Sequence, residues 1–514
     1  MSITKSQKIP SFAFGAALLA ISAVIVKLIG VCYKIPLVHL LGAQGMGYFN
    51  AAYDVYALLC VISTTGLPVA VSVLVNRYPA CQKSIFRVSL ILFTVIGLPG
   101  TLAVFFGAEK IALWIGAPNA AQSLRFIAPS VLFICLSGAF RGYYQAKRNM
   151  VPTAVSQVIE AAGKLLFGLV FARIAIGMNG GTATAASFAV LGLSVGTLLS
   201  LLYLVICGRR PQKEESMGTI SHRQLLSQLL AVAFPVTLGA VLAGFSKVID
   251  LALIMRRLQD GGISQDAAIA LYGCYSSMVI PLFNVVPTLF GSLAMSLVPH
   301  LSHAIAGKDT AAQTQILSTA FRWGVAISLP AAIGMGMLSK QILDLLFSGT
   351  NEIRTAVPLL VPLCMAVPAS CLITATSAVL QAYGYAWIPM ISTAIGCAIK
   401  AASLYVLCVN PRIGVLAAPI STLLCCTATA CLNFAFVAKY TPEFDFAKQL
   451  LRSIAAAAIA VGAAAVLHKM LQLRFESSLI NVFVPIVTAV VMYIPIALKC
   501  GLIRISDIQS ILKK

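Results

Sequence analysis

The sequence predicts an all-α integral membrane protein of about 14 transmembrane helices. It predicts two six-helix lobes related by a pseudo-two-fold axis along the membrane normal, followed by two C-terminal helices. Three observations predict this fold. Of the 514 residues, 60% are hydrophobic and only 10% charged, against about 25% charged in a soluble globular protein. The apolar residues fall in continuous runs long enough to cross a bilayer. The seventh run also repeats the first, down to a lysine inside the apolar stretch.

A helix needs about 20 apolar residues to cross the hydrocarbon core. By that measure the first six spans are expected over 12–33, 48–76, 86–107, 124–145, 153–174 and 185–207. The next six are expected over 228–255, 270–299, 318–339, 356–383, 388–409 and 414–438, and the last two over 453–470 and 478–499. The runs are continuous rather than alternating, which selects helices over a barrel. Lys5 and Lys8 ahead of an apolar run look like a signal peptide. The run continues past Lys27 and recurs at Ala233, so an uncleaved first span is expected. Pro281 and Pro287 fall in one span and predict a bent eighth helix.

The net charge of +21 would suggest nucleic acid in a soluble protein. In a membrane chain it fits Lys and Arg retained on the cytoplasmic face beside anionic headgroups. With the N-terminus inside, most of the 36 Lys and Arg fall at inner ends and loops, among them Arg77, Lys83, Arg87, Arg141, Lys147 and Arg148. Both termini are therefore expected in the cytoplasm; the outer pair Arg256–Arg257 is the weakest point of that map. The 14 cysteines show no zinc-type spacing and read as small hydrophobes at helix contacts.

A shift of 220 aligns the first and seventh spans. It pairs Ala13 with Ala233, Phe14 with Phe234, Leu18 with Leu238 and Lys27 with Lys247. The fourth and tenth spans share a Pro near the start (Pro129, Pro368) and a Gln-Ala ending (Gln145, Gln381). A six-helix unit, being even, keeps the same orientation in both copies, and such parallel repeats place a cargo site between them. The expected domains are 1–220, 221–445 and a two-helix appendix at 446–514.

An ionisable side chain at the centre of a span costs about 2.5–3.5 kcal/mol on insertion scales, so it should face a cavity or a partner. The candidates are Lys27, Glu160, Lys164, Lys247, Asp250 and Lys400, with Asp54 and Arg322 nearer the ends. Lys27 and Lys247 sit at equivalent depths, and their ammonium groups suit an anionic cargo in a central cavity. Snorkelling to a headgroup is the plain alternative. Glu160 and Lys164 stand four apart on one helix face, placed either for a self-neutralising ion pair or for gating cargo. Asp250, three residues after Lys247, is the candidate for pairing with it or for a coupling cation, with Lys400 as a nearby competitor. No P-loop, nucleophile elbow or His-Glu-x-x-His occurs, which argues against ATP hydrolysis and against an enzyme.

Several stretches carry a family resemblance. The run from Lys34 to Tyr48 (KIPLVHLLGAQGMGY) is similar to the first outer loop of the stage V sporulation protein B group of polysaccharide-biosynthesis exporters. So is the run from Ser63 to Ser72 (STTGLPVAVS), and so is Ile249-Asp250 followed by Arg256-Arg257-Leu258-Gln259. The stretch from Tyr272 to Pro299, with its two inner prolines and Ser-Leu-Val-Pro ending, resembles the same group. Gln157, Glu160 and Lys164 resemble its Gln-x-x-Glu-x-x-x-Arg pattern with Lys for Arg, which keeps the charge and loses the planar fork.

The resemblance implies a member of the multidrug/oligosaccharidyl-lipid/polysaccharide exporter superfamily, which includes MurJ-like lipid II flippases. It implies a flippase for an undecaprenyl-diphosphate-linked oligosaccharide in spore-cortex or cell-wall synthesis. The expected partners are that lipid-linked cargo, membrane lipids and cell-wall synthesis enzymes, with no nucleic acid. No cofactor is expected beyond a proton or sodium gradient or the membrane potential. A drug/cation antiporter of the same fold would favour acidic cavity residues. A non-transporting scaffold for cell-wall enzymes would need no charges inside the membrane.

Overall fold

In a computed structural model of the chain, the structure describes residues 11–147, 149–208, 221–441, 462 and 478–499. All regular elements among them are helical, and nine helical runs are long and apolar enough to cross a membrane. The expected thirteenth span, 453–470, lies outside the described residues except for position 462.

The first helix, α1, runs Ser11–Thr64, 54 residues. At about 1.5 Å per residue it would be far longer than the roughly 30 Å of hydrocarbon, so it serves two spans. It breaks at Gly42, where φ is 65° and ψ −177°, a conformation that only glycine adopts without strain. The loop expected between 33 and 48 is thus helix on both sides of one residue. Seven further helices follow in chain order: α2 (Gly66–Arg77), α3 (Gln82–Ile115), α4 (Ala121–Ala146), α5 (Val151–Gly177), α6 (Thr182–Gly208), α7 (His222–Asp260) and α8 (Gln265–Cys274). The remainder are α9 (Ile280–Ala306), α10 (Thr310–Met337), α11 (Ser339–Leu346), α12 (Ile353–Ala382), α13 (Trp387–Leu407), α14 (Ala417–Tyr440) and α15 (Ser478–Lys499).

The chain forms two compact units. One comprises Met1–Arg256 and Ser264–Gly273, the other Arg257–Ile263 and Cys274–Lys514. Most of α7 therefore packs with the first six spans, although the sequence repeat restarts near 221. The reason lies in the core: Leu225, Leu229 and Ala233 of α7 are buried with Leu67, Leu74, Ile85 and Phe93. Gly66 opens α2 directly against Thr237 and the Ala233 carbonyl, where a Cβ would collide.

Inside the first unit, α5 and α6 meet backbone to backbone. A Cβ on Gly163 would stand 2.7 Å from Gly196 Cα, and one on Gly192 would strike the backbone at Gly168. In lipid, where helix contact gains nothing from expelling water, such small-residue seams supply close packing. Gly192→Val is expected to destabilise the protein by about 1–3 kcal/mol through overpacking, read as a lower unfolding midpoint in detergent. Between α4 and α6, Ser123 pairs with Ser187 at 2.9 Å and Ser130 with Ser194 at 2.7 Å.

In the second unit α12 is the central helix, packed on α9, α10, α13 and α14. One turn of π-helix, Tyr275–Val279, joins the chain leading from α8 to α9. Pro281 explains it. Its nitrogen cannot donate to the Ser277 carbonyl and its ring would collide there, so the preceding turn widens. The irregularity expected in the eighth span thus sits ahead of Pro281, and the helix runs on through Pro287. Tyr493 and Ala497 of α15 pack on Ala326 of α10. The basic pair Arg256–Arg257 serves helix ends. Arg256 donates to the Leu113 carbonyl in the last turn of α3, and Arg257 donates to the Tyr405 carbonyl in the last turn of α13. Cations there complement the negative end of each helix dipole.

Candidate functional site

The first unit gathers charged side chains from α1, α4, α5 and α7. Arg141 of α4, 8% exposed, is held on three sides. Its Nη2 donates to Glu160 Oε2 on α5 at 2.8 Å and to Ser200 Oγ on α6 at 3.1 Å, and its Nε donates to Ser156 Oγ at 3.0 Å. Glu160 is therefore neutralised by Arg141. The pairing of Glu160 with Lys164 suggested by their spacing is not the contact either side chain makes. Lys164 instead places its ammonium 4.4 Å from the ring centre of Tyr53 and 5.3 Å from that of Tyr33, both on α1. Phe49 stacks on Tyr53 at 5.9 Å and meets Tyr33 edge-on at 6.1 Å, which fixes both rings. An ammonium over aromatic faces keeps its charge without a carboxylate.

Lys34 stands next to Tyr33 on α1, partly buried. It is within electrostatic range of Asp54, Lys164 and Lys247. Asp54, further along α1, accepts a hydrogen bond from Tyr272 Oη at 2.6 Å, and is in range of Lys247, Lys34 and Asp250. The result is one cluster of three ammonium groups, Lys34, Lys164 and Lys247, with two carboxylates, Asp54 and Asp250. Lys247 is exposed, Lys34, Asp54 and Lys164 are intermediate, and Asp250 is buried. Partly open ammonium groups gathered in one place can receive an anion.

Of the residues singled out in the sequence, the structure brings Asp54, Lys164, Lys247 and Asp250 into this cluster and sets Glu160 beside it. Lys27 is not brought in. It is exposed among Val24, Leu28 and Val31, which are 57%, 61% and 53% exposed. It is nonetheless seven residues from Lys34, two helical turns along the same stripe of α1. Lys400 belongs to the second unit, 6% exposed on α13 and within electrostatic range of Cys425 of α14. Lys34 and Arg141 are not among the charged candidates of the sequence, and Asp54 is named there only as lying near a span end. A signal existed for Lys34 in its seven-residue spacing from Lys27, once the first helix is carried beyond residue 33.

Where α8 crosses α1, Gly47 and Gly273 let the backbones touch: a Cβ on Gly273 would fall on the Ala43 carbonyl, and one on Gly47 on that of Ile269. Two tyrosine–aspartate bonds flank the crossing, Tyr272 to Asp54 and Tyr48 Oη to Asp266 Oδ1 at 3.3 Å.

Residues 12–305, more than half of the chain, match the family described as polysaccharide biosynthesis protein. The chain belongs to that family. Residues 275–406 also match the MatE family. Among relatives of this polysaccharide biosynthesis protein, the uncharacterized membrane protein YabM of Bacillus subtilis (strain 168) is 28% identical over 82% of this chain and 78% of its own. Stage V sporulation protein B of the same organism is 25% identical over 84% of each chain. Lipid II flippase MurJ, also of that organism, is 22% identical over 63% of this chain and 64% of its own. In fold, the chain matches a solved structure of lipid II flippase MurJ in an inward closed conformation, with TM-score 0.69 at 15% identity, covering 94% of this chain and 98% of the other. It likewise matches an inward-facing multidrug resistance MATE transporter of the MOP superfamily, with TM-score 0.68 at 15% identity, covering 82% and 97%. This member of the polysaccharide biosynthesis family is thus a multi-pass helical membrane protein that shares its fold with these transporters.

Proposed function

We propose that the protein is a flippase that carries an undecaprenyl-diphosphate-linked oligosaccharide, of the lipid II peptidoglycan-precursor type, across the cytoplasmic membrane by alternating access. The observation that carries this reading is the gathering of three lysines in the first unit. Lys34, Lys164 and Lys247 lie in one cluster with Asp54 and Asp250. A diphosphate offers negative charge and several strong acceptors to such ammonium donors. A cationic drug would meet like charge there. The names of the relatives, one a lipid II flippase and one a sporulation protein, support a cell-wall precursor as cargo and spore-cortex synthesis as a setting.

Lys27, on the stripe of Lys34, is assigned to the path by which the headgroup reaches the cluster. Asp250 is assigned to a coupling proton or sodium ion, with Lys400 as the competing cation. Both termini are placed in the cytoplasm, and cell-wall synthesis enzymes are the proposed partners. The test is reconstitution in vesicles with fluorescent lipid II. Wild type should flip the lipid, Lys247→Ala should lose most of the rate, and a cationic dye should not be exported. Dye export without lipid movement would replace this reading with the antiporter.

A further inference from the structure

The first unit holds two of its cations in opposite ways. Arg141 is paired with the Glu160 carboxylate at 2.8 Å, which offsets its charge. Lys164, one turn after Glu160 on α5, is half-buried and pairs with no carboxylate among the described residues. Its ammonium lies instead 4.4 Å from the ring centre of Tyr53 and 5.3 Å from that of Tyr33. Both distances fall inside the roughly 6 Å over which a ring face attracts a cation. The shape of α1 makes this cradle. In a straight helix residues 33 and 49 would stand about 24 Å apart along the axis, yet the rings of Tyr33 and Phe49 meet at 6.1 Å. The break at Gly42 thus folds the two arms of α1 together. One arm supplies Tyr33, and the other supplies Tyr53 with Phe49 stacked on it at 5.9 Å. Gly168, one turn past Lys164, makes room for Tyr33: a Cβ there would stand 2.7 Å from the tyrosine hydroxyl.

We propose that Tyr53 and Tyr33 are positioning residues of the anion site: their ring faces hold the Lys164 ammonium in place without neutralising it, so that its charge meets the diphosphate of the cargo. This rests on the flippase reading and adds how one of the lysines is kept ready. A lysine side chain left to itself samples many rotamers, and ordering it at the moment of binding costs affinity. A carboxylate partner would also order it, but would cancel the charge and occupy the N–H donors that a phosphate needs. An aromatic ring carries a quadrupole and no net charge. It fixes the ammonium and leaves the charge uncompensated. Arg141 supports the arrangement, because it occupies the Glu160 carboxylate that the four-residue spacing would otherwise offer to Lys164.

The experiment titrates the full chain in lipid nanodiscs with inorganic diphosphate, using variants whose melting curves match that of wild type. Tyr53→Phe keeps the ring face and should bind as wild type does. Tyr53→Leu keeps an apolar side chain without the ring, and should bind about fivefold to tenfold more weakly, the scale of a partly desolvated cation–π contact. Tyr33→Phe should also bind as wild type does, since the buried Tyr33 hydroxyl has no hydrogen-bond partner among the described residues and only the ring is used. Tyr53→Glu holds the ammonium but cancels its charge, and should bind at least as weakly as Tyr53→Leu. In a Lys164→Met background, Tyr53→Leu should cause no further loss. Equal affinities of Tyr53→Phe and Tyr53→Leu overturn the proposal, and so does an undiminished loss from Tyr53→Leu when Lys164 is already replaced, which would mark a merely structural role. If Tyr53→Leu does not fold, Tyr53→Met, with its flexible unbranched chain, takes its place in the same comparisons. Failure of wild type to bind diphosphate removes the flippase reading and this proposal together. Binding by wild type that Lys164→Met weakens and Tyr53→Leu leaves unchanged removes this proposal alone.

Discussion

Arg141→Ala is expected to destabilise the protein by about 3 kcal/mol, the lower end of what breaking a buried ion pair costs, since the Glu160 side chain retains 27% exposure. The penalty arises because Glu160, Ser156 and Ser200 lose the one group that all three share. A carboxylate left unpaired in a helical bundle within lipid has little water to turn to. The measurement is equilibrium unfolding in mixed micelles. The double variant Arg141→Met/Glu160→Gln should recover most of the loss, because it removes the stranded charge as well as its partner. Equal losses in the single and double variants would mean that the pair is not coupled.

Lys34→Glu is expected to reduce lipid II flipping about a hundredfold or more. It removes one ammonium and adds a carboxylate near Asp54, a change of two charges against an anionic headgroup. Hydrogen bonds to charged groups are worth about 1.5–3 kcal/mol each, and the added repulsion acts in the same direction. Lys27→Ala should cost only severalfold, since its ammonium stands two turns from the cluster. The comparison is made by initial flipping rate in vesicles at fixed protein density. Comparable losses in the two variants would move the headgroup site toward Lys27 and away from the cluster around Lys164.

Hydropathy locates the spans well because a membrane leaves a coarse signature, about 20 apolar residues per crossing. It does not locate where a helix ends once past the hydrocarbon. The first span reads as finishing at 33, yet the helix continues to the Gly42 break, and Lys34 falls in what reads as a loop. Arg141 illustrates a different limit. Near the end of an apolar run it reads as one more inner basic residue. Only the placement of Ser156, Glu160 and Ser200 on two other helices makes it a buried hub. The spacing of Glu160 and Lys164 shows that they share a face of α5, but not which neighbour each meets. Arg141 answers for one and the rings of Tyr33 and Tyr53 for the other. Periodicity fixes direction from the helix axis, and tertiary packing chooses the partner.

The serine pairs of α4 and α6 have a mechanical consequence. Each pair has the same sequence offset, and the pairs stand two turns apart, so α4 and α6 run parallel with one axial setting satisfying both. Sliding either helix by a single turn would break both pairs at once. The glycine seam of α5 and α6 adds a steric detent to the same stack. A stack latched in this way passes a load from helix to helix instead of absorbing it. A push delivered at one of these three helices therefore reaches the others as the displacement of a block.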